Sequence, residues 1–291
     1  MKILNYKKNG ECFLGIKIDQ GIINLKEAGQ HLQIDVPDNM VDLIQQNDIE
    51  NIKQLLECIK ENSSFQYENE ELLKFLPSVV DPEKIICVGL NYLSHVEEAN
   101  VKEIPKTPVL FSKFNSALTA HNEAINLPKN AEKFDYEAEL VIVIGKEAKN
   151  VTEEEALSYI FGYSAGNDFS ARDLQFTTSQ WLLGKSPDGF APVGPYVVTA
   201  DELDPTNLEI ETRVNGAIRQ SSNTKHMIFN CATIVSYISK HMTLKPGDLI
   251  FTGTPEGVIF GYPKKEQQWL KSGDVVEITI EKIGTLKNTL Q

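Results

Sequence analysis

The sequence predicts an α+β protein rich in β-structure, with a small N-terminal α+β domain over residues 1–76 and a larger β-rich domain over 77–291. Three observations predict it. Short apolar stretches of β-branched character recur along the chain, separated by Gly and Pro turns. Few segments carry apolar residues at steps of three and four. No Gly-x-Gly-x-x-Gly or Walker loop is present, which argues against a dinucleotide-binding or nucleotide-binding sheet.

Composition narrows the function. A chain of 291 residues can bury a sizeable core. Its 41 acidic against 28 basic side chains give a formal charge of -13, which repels nucleic acid and acidic membrane surfaces. An anionic substrate therefore needs a locally positive site. No apolar run approaches the roughly 20 residues of a membrane span, and MKILNYKKNGE lacks the apolar core of a signal peptide, so a cytoplasmic protein is expected. Cys12, Cys58, Cys87 and Cys231 are scattered without a CxxC pair or a His at zinc spacing, as expected of reduced structural thiols.

In the N-terminal unit, strands are predicted over Lys2–Tyr6, Phe13–Ile18 and Ile22–Leu25, divided by Asn9-Gly10 and Gln20-Gly21. Asp48 is a candidate cap for an amphipathic helix carrying Ile49, Ile52, Leu55, Leu56 and Ile59 and ending near Asn62 and Ser63. A polar stretch and Pro77 to Pro82 connect it to the larger domain.

There, KIICVG (84–89) and PVLFSK (108–113) read as strands. His95 and Glu98 follow the first, three residues apart, where a helical turn places them on one face and a carboxylate can orient an imidazole as a base; a solvated helix face gives the same spacing. Lys113, at the end of the second, could meet an anion or sit in a loop. In FDYEAELVIVIG (134–145) strand alternation puts Glu137, Glu139, Val141 and Val143 on one face, and Tyr136, Ala138, Leu140, Ile142 and Ile144 on the other. Two glutamates on an otherwise apolar strand call for a cation, or for a strand end in solvent.

Thr152 and Glu155 form a capping-box pattern for a helix burying Ala156, Leu157, Ile160 and Phe161. Asp168 then offers a third carboxylate, which would complete an oxygen-only site suited to Mg²⁺ or Mn²⁺, while Arg172 with Asp173 reads as a supporting ion pair or a structural salt bridge. Gly184 to Pro195 reads as a stiff loop around Lys185, a candidate anion contact. A hairpin over 208–220 turns at Asn215-Gly216, and a helix is expected over His226–Met242. DLIFTG (248–253) runs into TGTPEGV, where Thr254 can meet a carboxylate. Strands over 275–280 and 284–290 close the domain.

Taken in order, GLNYLSH with Glu98, FDYEAEL, GNDFSARD, GKSPDGFAPVGP, RVNG, LKPGDLIFTGTPEGV and SGDVVEITIEKIGTL resemble the fumarylacetoacetate hydrolase family from about Lys84 to the C-terminus. The resemblance implies a mixed β-sandwich roll, usually a homodimer. It implies Mg²⁺ or Mn²⁺ on Glu137, Glu139 and Asp168, substrate contacts from Lys185 and Thr254, and a water-activating dyad at His95 and Glu98. Leu90 stands where some members carry Arg. Lys113 and Asn91 complete the candidate substrate contacts.

The leading expectation is metal-dependent hydrolysis of a carbon-carbon bond in an acylpyruvate-like 2,4-dioxo acid, with no nucleic-acid or membrane partner. Decarboxylation of oxaloacetate or a related β-oxo acid, or isomerisation of an unsaturated oxo-dioic acid, would use the same groups. A metal-binding protein without catalysis is the alternative from another class.

Overall fold

The structure, a computed structural model, describes residues 1–46, 49–61, 65–101 and 103–291. The chain opens with the antiparallel meander β1 (Lys2–Lys8), β2 (Glu11–Ile18) and β3 (Gly21–Asn24), turning at Asn9-Gly10 and Gln20-Gly21 as predicted. Helices α1 (Leu25–Leu32), α2 (Met40–Gln46) and α3 (Ile49–Glu61) follow. Leu25 starts a helix and does not end a strand, because the Asn24 side chain accepts from Glu27 N and caps α1 there. Along α3, Ile52, Leu55, Leu56 and Ile59 are buried as their spacing predicts. Asp48, Asn62 and Ser63, the expected ends of that helix, lie outside the described residues.

The chain continues through β4 (Lys74–Phe75), β5 (Ile85–Gly89), α4 (Leu93–Glu98), β6 (Val109–Lys113), β7 (Leu118–Thr119), β8 (Ala124–Ile125), β9 (Phe134–Asp135) and β10 (Ala138–Ile144). Next come α5 (Glu153–Ala156), β11 (Ile160–Asn167), β12 (Ser170–Ala171), α6 (Arg172–Gln175), α7 (Leu182–Lys185) and β13 (Ala191–Thr199). The last elements are β14 (Glu209–Val214), β15 (Ala217–Asn223), α8 (Cys231–His241), β16 (Leu249–Phe251), β17 (Val275–Ile280) and β18 (Gly284–Leu290).

One mixed sheet runs β3-β2-β1-β13-β11-β10-β16-β5-β6, with β4 attached to β1 and β7 to β13. A second sheet, β15-β14-β17-β18-β8, packs on one of its faces. Residues 1–76 join this frame through main-chain pairing of β1 with β13, Lys2 opposite Val198. Alternation along β10 divides its side chains between two cores. Ala138, Leu140, Ile142 and Ile144 share one with Ile210, Ile278 and Leu286 of the second sheet. Val141 and Val143 share the other with Leu43 and Leu55 of the N-terminal helices. Each fully buried Leu or Ile contributes about 1.5–3 kcal/mol of transfer free energy, so both cores hold β10 in register.

Three predicted elements differ. The stiff loop ends at Phe190, and Ala191–Thr199 is a buried strand. It accommodates Pro195 because pairing with β11 steps from Val198 to Gly194 while β11 advances only from Tyr163 to Ala165, so the proline lies in a bulge. The helix after Thr152 is one α-turn and a 3₁₀ turn. Thr152 Oγ1 bonds the Glu155 side chain at 3.0 Å and caps no main-chain N–H, Leu157 is exposed, and Ile160 and Phe161 start β11. Helix α8 begins at Cys231, where Asn230 caps Thr233 N at 3.0 Å, and not at His226. The Asn215-Gly216 turn does form, with φ of 51° and 81°. No described helix is long and apolar enough to cross a membrane.

Candidate active site

Between β9 and β10 the chain leaves the ladder for two residues, Tyr136 and Glu137. Side chains replace the missing strand partners: Asn167 Oδ1 accepts from Glu137 N at 2.9 Å and Gln220 Oε1 from Ala138 N at 3.0 Å. Glu137 and Glu139 turn to one side, and Asp168, just past β11, meets them. Their oxygens lie within 4.8 Å of one another, and all three residues are buried. Tyr136, Ala138 and Leu140 pack in the core behind, as alternation predicts.

Three buried cations answer this charge. Lys185 Nζ donates to Glu137 Oε2 and Asp168 Oδ2, both at 2.7 Å. Lys113 Nζ lies 2.5 Å from Asp168 Oδ1 and donates to the main-chain oxygens of Phe169, Phe190 and Lys185. Arg172 does not pair with Asp173. Its Nε donates to Asp135 Oδ2 at 2.9 Å, and its Nη2 lies 2.9 Å from Asp135 Oδ2 and 2.7 Å from Glu137 Oε1. Asp173 turns outward to accept from Glu132 N at 2.7 Å and Leu174 N at 3.2 Å. Adjacent residues on a short helix point in different directions, so sequence neighbourhood misassigns the partner.

Burial alone would raise the Glu137 carboxyl, but Lys185 and Arg172 outweigh it and hold the group well below the usual range. Glu139 goes the other way, raised by burial and by the charges of Asp168 and Glu137. Burial works against the Lys185 ammonium, yet Asp168 and Glu137 raise it above its ordinary value. In Lys113 burial wins and the ammonium is lowered. Glu139 accepts from Gly253 N at 2.7 Å. Among the described residues no cation pairs with it. Gly253 holds φ +98°, and a Cβ there would sit 2.7 Å from Asn91 Cβ, so the close approach of this N–H requires glycine.

This donor set fits a hard divalent cation. It is oxygen-only and buried, and among the described residues one carboxylate, Glu139, has no cation in direct contact.

Helix α4 brings His95 Nδ1 to 2.7 Å from Glu98 Oε1, while Glu98 Oε2 accepts from Gly257 N at 3.0 Å. A carboxylate at Nδ1 fixes the tautomer with the proton on Nδ1 and leaves Nε2 able to accept. His95, Glu137, Glu139, Lys185, Arg172 and Thr254 all line one cavity of about 240 Å³, with Phe111 and Trp181 among its apolar walls. Open grooves of about 780 and 640 Å³ lie elsewhere and reach none of the three carboxylates.

Two expected substrate contacts do not line that cavity. Asn91 Oδ1 accepts from Phe229 N at 2.7 Å, and its Nδ2 donates to Phe229 O and Thr252 O, so the amide clamps three segments together. Lys113 is enclosed by main-chain oxygens and Asp168, which makes it a charge-balancing strut. Sequence reasoning missed Asp135, although it shares strand parity with Glu137 and Glu139. It accepts from Tyr136 N, Ile259 N and Phe260 N besides Arg172. It also missed Gln220, for which the sequence carries no signal.

The family description that matches the chain is fumarylacetoacetate (FAA) hydrolase C-terminal, over residues 84–291. A fumarylacetoacetate hydrolase domain-containing protein 2 homolog of Dictyostelium discoideum is 43% identical over 291 residues, covering 96% of this chain and 92% of that protein. The mitochondrial oxaloacetate tautomerase fahd2 of Xenopus laevis is 45% identical over 219 residues, 74% of this chain and 68% of that one. The solved maleylpyruvate hydrolase of Sphingobium sp. SYK-6, in complex with manganese(II) and pyruvate, superposes with a TM-score of 0.79 at 28% identity, covering 100% of this chain and 98% of that one. With the motif order, the sheet-rich fold and these matches in agreement, the chain belongs to the fumarylacetoacetate hydrolase family.

Proposed function

We propose that this site interconverts the keto and enol forms of a short 2-oxo dicarboxylic acid of the oxaloacetate type, with Mg²⁺ or Mn²⁺ held by Glu137, Glu139 and Asp168. The observation that carries it is that His95, held at Nδ1 by Glu98, lines the same 240 Å³ cavity as Glu137, Glu139 and Lys185. That volume is below the range for drug-sized ligands and suits a four-carbon acid. The 45% identity to proteins named oxaloacetate tautomerases supports the substrate class.

The chain's own groups divide the work. His95 Nε2, free because Nδ1 is engaged by Glu98, takes a proton from C3. The C–H electron pair forms the C2–C3 double bond, and the carbonyl π pair moves onto the 2-oxo oxygen. The imidazolium then gives its proton to that oxygen, so tautomerisation needs no other reactant. Lys185, kept charged by Asp168 and Glu137, lines the cavity and would stabilise negative charge developing on oxygen. Thr254 brings a hydroxyl to the same cavity. The apolar walls limit water. When bound, the divalent ion supplies Lewis-acid polarisation of the 2-oxo acid.

Hydrolytic carbon-carbon cleavage of a 2,4-dioxo acid is the second reading, favoured by the likeness to a maleylpyruvate hydrolase. There His95 would deprotonate water. Decarboxylation of oxaloacetate passes through the same enolate and needs no water. The deciding experiment offers metal-loaded protein enol-oxaloacetate, keto-oxaloacetate and an acylpyruvate, following enol absorbance and pyruvate release. Loss of enol absorbance without pyruvate release is expected. Pyruvate from the acylpyruvate alone would replace tautomerase with hydrolase, and pyruvate from oxaloacetate with decarboxylase. A homodimer belongs to the same proposal, and light scattering in solution tests it.

A further inference from the structure

We propose that Gln220, on the second sheet and outside the cavity, is the positioning residue that ties the carboxylate cradle to the substrate-facing hydroxyl of Thr254. The inference rests on the 2-oxo dicarboxylate reading only for what Thr254 touches. Gln220 is buried, and its amide is engaged at all four positions. Oε1 accepts from Ala138 N at 3.0 Å and from Thr212 Oγ1 at 2.7 Å. Nε2 donates to Thr254 Oγ1 and to Pro255 O, both at 2.9 Å.

The orientation of the amide follows from its partners. Ala138 N–H can only donate, so the atom facing it is Oε1. Pro255 C=O can only accept, so the atom facing it is Nε2. Thr254 Oγ1 must therefore accept from Gln220, which frees its own O–H to donate elsewhere. Thr254 lines the cavity, and among the described residues no acceptor for that O–H is found. The hydroxyl is thus aimed as a donor at an anionic oxygen in the cavity. At its other end Gln220 holds the N–H of Ala138, the residue between Glu137 and Glu139, at the point where β10 begins. One side chain therefore sets both the spacing of two carboxylates and the polarity of a hydroxyl in the same cavity.

The test uses Mn²⁺ and, on the Mn²⁺-loaded protein, oxalate, each titrated by calorimetry, with the melting temperature recorded alongside. Losing one net hydrogen bond corresponds to about 5–10-fold in affinity. Gln220→Leu is expected to weaken both Mn²⁺ and oxalate by about that factor. Gln220→Glu keeps the acceptor for Ala138 N but turns the Thr254 O–H toward its own carboxylate, so it is expected to weaken oxalate while Mn²⁺ binding persists. Thr254→Val should weaken oxalate alone, and adding Gln220→Leu to it should cost no further oxalate affinity beyond the Mn²⁺ effect. Thr212→Val, which removes a Gln220 partner remote from the cavity, should lower the melting temperature and leave both affinities within twofold. If Gln220→Leu does not fold, Gln220→Glu and Thr254→Val decide. Affinities for Mn²⁺ and oxalate within twofold of the parent in the Gln220 variants, with only the melting temperature reduced, would overturn the proposal. Because neither probe is turned over, these outcomes stand whether or not oxaloacetate is tautomerised.

Discussion

Glu139→Gln should move two observables in opposite directions. Asp135, Glu137 and Asp168 are matched by Arg172, Lys185 and Lys113, three carboxylates against three cations in direct contact. Glu139 is the fourth carboxylate, and among the described residues its hydrogen-bond partner is the Gly253 N–H. Its charge is therefore the one left for a bound ion. Two unit charges about 4 Å apart interact by about 4 kcal/mol at an effective dielectric of 20, and a divalent ion doubles that before its own dehydration is subtracted. A net loss of about 3 kcal/mol, or about 100-fold in Kd, is expected for Mn²⁺ by calorimetry. Glutamine keeps an acceptor for Gly253 N and removes a buried carboxyl whose charged form burial and the neighbouring Asp168 and Glu137 disfavour. The metal-free variant should consequently melt at the same temperature as the parent or above it. A Kd within threefold of the parent, or a metal-free melting temperature lowered by several degrees, would refute this account of the charge balance.

Other substitutions separate chemistry from scaffold. His95→Asn should lower kcat by about 10²- to 10⁴-fold while Mn²⁺ affinity stays within about threefold, since His95 faces the cavity without sharing the ligand set; an equal loss of metal binding would remove it from the role of base. Asp135→Asn takes away the buried partner of Arg172 and should destabilise the protein by about 3 kcal/mol, read as a lower urea midpoint at unchanged m-value. His121 is depressed to about 4 by burial, and its Nδ1 accepts from Lys287 N at 3.1 Å. Its folded pKa lies below the unfolded 6.5, so the unfolded state binds more protons, and stability is full above pH 6.5 and falls as pH drops from 6.5 to 4. His121→Gln should flatten about 1–2 kcal/mol of that slope, allowing for partial exposure. Parallel urea midpoints for parent and variant across that range would dismiss His121 as the source.

Much of the site was legible because strand parity is a strict rule. Glu137 and Glu139 share a side with Val141 and Val143, and the structure sends that side to one core and Tyr136, Ala138 and Leu140 to the other. The Asn215-Gly216 hairpin and the burial of α3 were legible for the same kind of reason, since turn chemistry and helical spacing are local. The partner of Arg172 was not. Asp173 is its neighbour in sequence, whereas Asp135 reaches it through the antiparallel pairing of β9 with β12, a contact across 37 positions that no local pattern encodes. Pro192 and Pro195 likewise argue for a loop on local grounds. The bulge in the pairing of β13 with β11 makes room for Pro195, and Pro192 lies beyond that pairing, opposite Thr119 of β7.

The least legible residues are those that hold the cradle where regular structure stops. A strand that stayed in the ladder through Tyr136 and Glu137 would bond its N–H groups to a neighbouring strand and leave no gap for an ion. Here the side chains of Asp135, Asn167 and Gln220 accept from the N–H groups of Tyr136, Glu137 and Ala138 in turn, so the carboxylates can crowd together without an unsatisfied main-chain N–H beneath them. Amide side chains suit this position because one end accepts from a peptide N–H while the other still donates, as Gln220 does to Thr254 and Pro255. A carboxylate in place of Asn167 or Gln220 would add negative charge to a site that already carries one carboxylate more than its cations, and an apolar residue would orphan the N–H. The charge balance that makes room for a divalent ion and the neutrality of the groups that space its ligands are thus one constraint. It is expressed in residues that hydrophobic periodicity and charge motifs both pass over.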